Sequence, residues 1–402
     1  MQLFYISIAM TFYFFAYVLS ENSIAHTVNH SFPVVYLLIL FVTFILVLRK
    51  RIRITINEKQ RLFLMVTFSV YVFSPLVSFN VINFNFYSNI NNIFYDLIFI
   101  IVIVIISSQT ENIIQFYKVM LAIAIGNGLY IFPEILFSFS QVLNIDNYMW
   151  ILQGERITRA TYGLRHPNFA GMILLVEIFS ILFCLIRTRS IFNKSICLVL
   201  EILLIIVLIT TGNRAAVYSV ILSIVVGLYL LLLKKAPRLI RNILLLYSIF
   251  ILFIFMFMIF DWNSFYTSSE SLTERYILMK SVLNYIPLYG DYLFGIAPID
   301  QISLASDLIF LRNDNWFIQT IVLYGVFGLI SMLVLVIYLF VYQISNYFKS
   351  GLYISLFKLS LLVTVITYST MEITLFAHGY SWSLLLWIVI LSKFKHFEQP
   401  KR

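Results

Sequence analysis

Charge is scarce in this 402-residue chain. Asp, Glu, Lys and Arg make up 11% of it, against about 25% in soluble domains. Hydrophobic residues account for 61% and aromatic residues for 17%. A chain this long with so little polar surface cannot cover itself for water. That excludes a cytosolic enzyme, a secreted domain and a disordered chain. Cysteine is scarcer still. Cys184 and Cys197 flank a short basic loop and form neither a disulfide framework nor a metal site. Walker, GxGxxG, HExxH and paired CxxC patterns are all missing, so nucleotide, nicotinamide and structural zinc have no support. Asp300, Asp307 and Asp314 lack the spacing of a divalent-ion loop, and no cofactor or metal is expected.

What the chain has is apolar length. About 20 mostly apolar residues cross the hydrocarbon as a helix, because each backbone polar group must be paired internally. Runs of that kind lie near 2–20, 32–48, 62–79, 92–108, 118–138, 168–186, 195–211, 214–233, 242–260, 316–340, 359–377 and 379–393. The expected fold is an all-α polytopic membrane protein of about 12 transmembrane helices, one integral domain over 1–402. Residues 1–20 lack a basic leader and a cleavage site and read as a span that stays in place. With both termini cytoplasmic, the inner loops collect 20 of the 27 Lys and Arg. That asymmetry follows the positive-inside bias and also explains the net charge of +9 without nucleic acid.

Two outer segments exceed what a connector needs, 139–167 and 261–315. Long loops over a rigid scaffold tend to carry function. Within the second, Ser271 and Glu274 form a capping box. Leu272, Tyr276, Met279, Leu283 and Ile286 then share one helical face, which predicts an interfacial amphipathic helix over 271–286. Six of the seven outer cations are Arg. Guanidinium pairs two phosphate oxygens at once, so an Arg-rich outer face suits a diphosphate. The bland alternative is snorkelling to lipid headgroups. Residues 156–166 carry three Arg and a His, and Pro167-Asn168 then signals a helix start. Helix N-termini attract anions. Thr210-Thr211-Gly212-Asn213-Arg214 joins two spans with almost no loop and holds Arg214 near the membrane boundary. Asp96, Glu134, Glu177, Glu201 and Glu372 fall within or at the edges of spans, where acids act as proton or ion relays or are paired structurally. Glu134 is expected to reach water, and Glu372 to lie a turn from His378 on the eleventh span.

Four segments together resemble the O-antigen polymerase and O-antigen ligase family of bacterial membrane glycosyltransferases. Arg159-Ala-Thr-Tyr-Gly-Leu-Arg-His-Pro-Asn-Phe-Ala-Gly171 is similar to its Arg, Gly, Pro-Asn-x-x-Ala segment. Thr211-Gly-Asn-Arg-Ala-Ala216 resembles its Thr-x-Ser-Arg-Gly turn, with Asn213 and Ala215 as departures. Glu274-Arg275 through Leu288-Tyr-Gly-Asp-Tyr-Leu-Phe-Gly-Ile-Ala-Pro298 is similar to its Arg, helix, Pro-Leu-x-Gly-x-Gly block. Asp314-Asn315-Trp316-Phe317 through Gly325-Val-Phe-Gly328 resembles its His-Asn-x-x-x-Gln entry into a Gly-marked span. Ligase-type members tend to carry His where this chain has Asp314, which tilts the resemblance toward a polymerase.

The resemblance implies a GT-C-like glycosyltransferase architecture and a metal-independent reaction on the outer face of the bacterial cytoplasmic membrane. Donor and acceptor are polyprenyl-diphosphate-linked oligosaccharides of an O-antigen, capsule or exopolysaccharide pathway, and a chain-length regulator is a compatible partner. Arg159, Arg165, Arg214, Arg275 and Arg312 are the implied diphosphate ligands. Asp314 and His378 are the candidate bases. Tyr162, Asn168, Tyr292 and Trp316 are candidates for sugar contact, although an interfacial aromatic belt explains such aromatics as well. Rival expectations are a ligase that moves finished glycan to another acceptor and a 12-helix transporter or lipid-sugar flippase.

Overall fold

The computed structural model describes residues 2–20, 55–77, 86–110, 113–152, 158–237, 239–240, 292–295, 315–350, 353–372, 374–377 and 380–392. Among them, all long elements are helices. Seven are long and apolar enough to cross a membrane, which makes the chain a multi-pass membrane protein. The long helices are α1 (Gln2–Ser20), α2 (Glu58–Phe68), α3 (Phe86–Gln109), α4 (Ile113–Phe137) and α5 (Pro167–Arg187). They continue with α6 (Ile191–Thr210), α7 (Arg214–Lys235), α8 (Trp316–Ser350), α9 (Tyr353–Tyr368) and α10 (Ser381–Leu391). The spans expected at 32–48 and 242–260, and the interfacial helix at 271–286, lie outside the described residues.

The chain divides into two compact units. Unit one comprises Met1–Met65, Tyr95–Val220 and Thr374–Arg402, and unit two Val66–Phe94 and Ile221–Ile373.

In unit one, α5 is the buried axis: every residue from Ala170 to Ile181 is buried. Helices α4, α6 and α10 each pack against it, and α1 packs against α4. The α1–α4 approach depends on Gly126, where a Cβ would stand 2.5 Å from the Thr11 carbonyl oxygen. Small residues permit such backbone proximity between membrane helices. Thr11 Oγ1 donates across the same seam to the Ala122 carbonyl at 3.1 Å. By contrast, α6 exposes Phe192, Leu198, Val199 and Ile202, the surface a helix offers to lipid.

Lys59, expected in an inner loop, is instead buried in the first turn of α2. Its Nζ reaches the carbonyls of Ile390 (3.3 Å) and Ser392 (3.5 Å) at the end of α10. A cation at a helix C-terminus satisfies orphan carbonyls and the dipole together.

The eleventh expected span, 359–377, is corrected by the structure. Its helix ends at Tyr368, and turns follow through Glu372. Glu372 is therefore not a helical turn away from position 378 on a continuous span. The physical reason is that this stretch finds backbone partners off the helix. In unit two the Ser369 carbonyl accepts from the Trp316 N–H at 3.0 Å. In unit one the Leu375 carbonyl accepts from Trp387 Nε1 (2.7 Å) and Ser383 Oγ (3.3 Å). Irregular backbone is tolerated in a membrane protein where protein groups satisfy it.

Unit two has its own irregular centre. Helix α8 starts with an Asn cap: Asn315 Oδ1 accepts from the N–H groups of Phe317 (2.9 Å) and Ile318 (3.2 Å). It is then interrupted at Gly325, whose φ of 68° and ψ of −172° belong to glycine. The N–H groups of Val326 and Phe327 donate instead to the Tyr292 and Leu293 carbonyls, at 2.9 and 3.0 Å. Gly295, also at positive φ (77°), faces the break, and a Cβ there would stand 2.6 Å from the Gly325 nitrogen. On Gly325 itself a Cβ would run into the Leu293 carbonyl. Ser74, just past a π-helical turn at Ser69–Phe73, holds its hydroxyl 3.2 and 3.5 Å from the carbonyls of Phe294 and Tyr324. Thus residues 292–295 and 325–327, from two segments read separately in the sequence, meet through backbone.

Gly325→Ala is expected to cost more than about 2 kcal/mol, from strain plus backbone overlap. Gly227→Ala is the matched control, since its Cβ would meet only Ser360 Oγ, at 3.5 Å. Thermal unfolding of the two purified variants in detergent checks the contrast.

Candidate functional site

The described part of the expected site lies mostly in unit one, where three helix ends meet. Helix α6 stops at Thr210, and α7 begins at Arg214 after a turn over Thr211–Asn213. Gly212 takes φ of 60° in that turn. The last carbonyls of α6 have no partners within the helix. Trp150 Nε1 donates to Ile209 at 3.0 Å, the Ala160 N–H to Thr210 at 3.0 Å, and Arg159 Nε to Thr211 at 3.0 Å. The loop entering α5 is thereby fastened to the end of α6.

That loop folds by its own local rules. Thr161–Leu164 is a β-turn closed by the Leu164 N–H on the Thr161 carbonyl at 3.0 Å. Its central residues, Tyr162 (φ 49°) and Gly163 (φ 73°), both take positive φ, the requirement of a type I′ turn. Tyr162 pays no exposure for this: it is fully buried, and its hydroxyl bonds Thr210 Oγ1. Gly163 fits beneath Glu134, where a Cβ would stand 2.7 Å from Oε2 and 2.9 Å from the Tyr130 hydroxyl. The Glu134 carboxyl, on a half-exposed residue expected to reach water, also lies against this turn.

Two helix N-termini adjoin the Arg159 side chain. His166 caps α5, its Nδ1 accepting the Asn168 N–H at 3.1 Å. Asn213 caps α7, its Oδ1 accepting the Ala216 N–H at 3.1 Å. The caps are linked, since Asn213 Nδ2 lies 3.4 Å from the Asn168 carbonyl. Gly171 makes the link possible: a Cβ there would overlap the Asn213 carboxamide. Arg159 spans the group. Its stem crosses Gly212, with Cγ 3.2 Å from that residue's Cβ position, and its NH2 donates to Asn168 Oδ1 at 2.7 Å. Arg214 opens α7 two residues beyond Gly212 and is half-buried. Arg165 is exposed, with its guanidinium 4.4 Å over the Phe169 ring.

Chemically this is an anion-receptive corner. Two helix N-termini supply positive dipole ends, and Arg159 and Arg214 flank the short turn between α6 and α7. His166 spends Nδ1 as an acceptor, so in its neutral form Nε2 carries the proton and can donate but not accept.

The structure gathers Arg159, Arg214, Asn168 and the Thr211–Asn213 turn into one neighbourhood, with Arg165 at its exposed edge. Tyr162 belongs to the same loop, but its buried ring has no face to offer a sugar. In unit two, Trp316 is 2% exposed and packs edge-on against Phe317 at 5.2 Å, so it too is interior. Tyr292 is 57% exposed and keeps an open ring. Arg275, Arg312, Asp314 and His378 lie outside the described residues. Sequence reading missed the contributions of Trp150, Thr210 and Glu134. The hint for Glu134 was Gly163, a residue that marks a close approach without naming the partner. No protein-family model matches the chain, and no curated protein matches it either.

Burial pushes the Tyr162 phenol up to about 12, against the partial relief of its Thr210 hydrogen bond. The unfolded phenol titrates near 10. Its contribution to stability is therefore intact below about pH 10 and is lost as pH rises toward 12, by up to roughly 2–3 kcal/mol. Tyr162→Phe should flatten the fall in unfolding temperature over that alkaline window, read by thermal unfolding against wild type.

Proposed function

We propose that the chain is a polysaccharide polymerase that joins polyprenyl-diphosphate-linked repeat units on the outer face of a bacterial cytoplasmic membrane. The observation that supports this most is the corner formed by Arg159, Asn168 and the Thr211–Arg214 turn. Two of the four resembling segments meet there, and they bring two N-termini and two guanidinium groups to one turn. A diphosphate is the anion that such a set suits.

The reaction asks little beyond charge management. The acceptor hydroxyl oxygen attacks the anomeric carbon of the donor sugar. The bond from that carbon to the diphosphate oxygen breaks, and the lipid diphosphate leaves with the electron pair. Arg159 and Arg214, joined by Arg165, Arg275 and Arg312, hold the developing negative charge where solvent is sparse. The acceptor proton passes to a base, with Asp314 first and His378 second. Such assistance contributes about 10²–10⁴-fold. Glu134 is a further carboxylate beside the loop that carries Arg159. His166 is the weaker choice, because its Nδ1 is engaged as the α5 cap. A ligase shares this chemistry and differs in acceptor.

Arg214→Lys is expected to abolish long-chain polysaccharide while the protein still reaches the membrane, because a point charge does not replace a bidentate fork. A length ladder of the cellular polysaccharide, beside an immunoblot of membranes, checks it. A normal ladder removes the diphosphate clamp. Asp314→Asn is expected to be far more damaging than His166→Ala, and the reverse ranking reassigns the base. Purified protein given lipid-linked repeat units settles the class. Chain growth without ATP or metal identifies a polymerase, transfer to a different acceptor a ligase, and movement without a new bond a transporter.

A further inference from the structure

Three buried polar side chains lie on packed helices of unit one, away from the corner at the ends of α5, α6 and α7. Asn127 of α4, Glu177 of α5 and Glu201 of α6 are 0%, 1% and 8% exposed. By helical rise, Glu177 lies about 13 Å along α5 from Asn168, and Glu201 lies about as far along α6 from Thr210. Asn127 Nδ2 donates to the Ile173 carbonyl at 3.1 Å, which fixes the carboxamide on α5. The Asn127 side chain is a hydrogen-bonding neighbour of Glu177, and Glu201 lies within its electrostatic reach. Gly128 leaves room for it: a Cβ there would stand 3.3 Å from Glu177 Oε1. Both Glu177 oxygens, Glu201 Oε2 and Asn127 Oδ1 are buried, and among the described residues none accepts a hydrogen bond of 3.5 Å or less.

All four atoms are acceptors, and acceptors cannot satisfy one another. The helices that carry them hold their cations elsewhere. Lys118, Arg187 and Lys194 are seven or more residues away along their own helices, about 10 Å or more by rise. The other helix on α5, α10, has no titratable residue. Helix α1, packed on α4, brings Tyr13 and Tyr17, and the Tyr17 hydroxyl is directed to Met172 Sδ at 3.9 Å. Among the described residues, Tyr130 lies one turn from Asn127 on α4, and Cys184 and Cys197 are titratable neighbours of Glu177 and Glu201. Two ionised carboxylates in such surroundings are very costly. No cation among the described residues stands beside them, which leaves a proton or a bound cation to offset the charge. Among the described residues no group of three or more His, Cys, Asp or Glu is placed to hold a metal ion. The four oxygens also fall short of the roughly six that a hard cation takes. A proton needs one acceptor to own it and one to share it.

We infer that Glu177 and Glu201 form a proton-binding carboxyl pair in the membrane interior, with Asn127 Oδ1 as a further acceptor for the shared O–H. The pair takes up and releases protons as a unit. It is independent of the diphosphate reading, because it uses none of the residues of that corner.

The test treats the purified full-length protein in nanodiscs with dicyclohexylcarbodiimide, which adds to protonated carboxyls in apolar surroundings. Peptide mass spectrometry then locates the adduct. The adduct is expected on Glu177 or Glu201 at mildly acidic pH, and it is expected to fall away in alkaline buffer. Sodium chloride should have no effect relative to choline chloride. Acid-minus-alkaline infrared difference spectra should show a protonated-carboxyl band that Glu177→Gln diminishes, a readout that does not depend on reagent access. Absence of both the adduct and the band overturns the pair. Protection by sodium at constant pH overturns the proton in favour of an alkali cation. Polymer synthesis plays no part in either readout, so failure here leaves the polymerase proposal to its own experiments.

Discussion

The ends of α5, α6 and α7 are the constraint on which unit one turns. A helix that stops near a membrane boundary leaves carbonyls at one end and N–H groups at the other, and hydrocarbon satisfies neither. Here the acceptor end of α6 is met by Trp150, Ala160 and Arg159. The donor ends of α5 and α7 are met by His166 and Asn213. The loop that follows 158 therefore has its course set by backbone bookkeeping before any ligand is considered. Its conformation, including the left-handed pair Tyr162-Gly163, is what brings Arg159 across Gly212.

Much of this was legible in the sequence, for reasons that can be assigned residue by residue. Pro167-Asn168 marks the start of α5 because proline tolerates the first helical turn and loses nothing there. Thr210–Arg214 is too short to be anything but a tight turn, so Arg214 had to stand at the head of α7. Hydropathy found the long spans because length and apolarity are local properties. What failed was what depends on remote partners. The end of α9 at Tyr368 is invisible in an apolar run, since carbonyls beyond it are satisfied by Trp316 and by Trp387, far away in the chain. The interruption of α8 at Gly325 looks, in sequence, like any glycine in a span. Burial of Lys59 depends on where α10 ends. Tyr162 and Trp316 read as exposed aromatics in a loop and at a helix start, and both turn out to be interior packing.

Unit two applies the same requirement differently. Besides the Asn315 cap at the start of α8, a backbone strip at 292–295 fills the gap left at Gly325. Two glycines at positive φ permit the contact, and Ser74 adds a hydroxyl to the freed carbonyls. Residues 292 and 293 are held by main-chain bonds that do not depend on side-chain identity. This leaves Tyr292 open to solvent while the strip beneath it is fixed.

The position of Arg159 has one more consequence. Its guanidinium already serves the Thr211 carbonyl and the Asn168 carboxamide. Two of its five N–H groups are used in this way, which fixes the plane and the direction of the fork. A fork held in place by protein oxygens gives up little side-chain freedom on engaging any further acceptor.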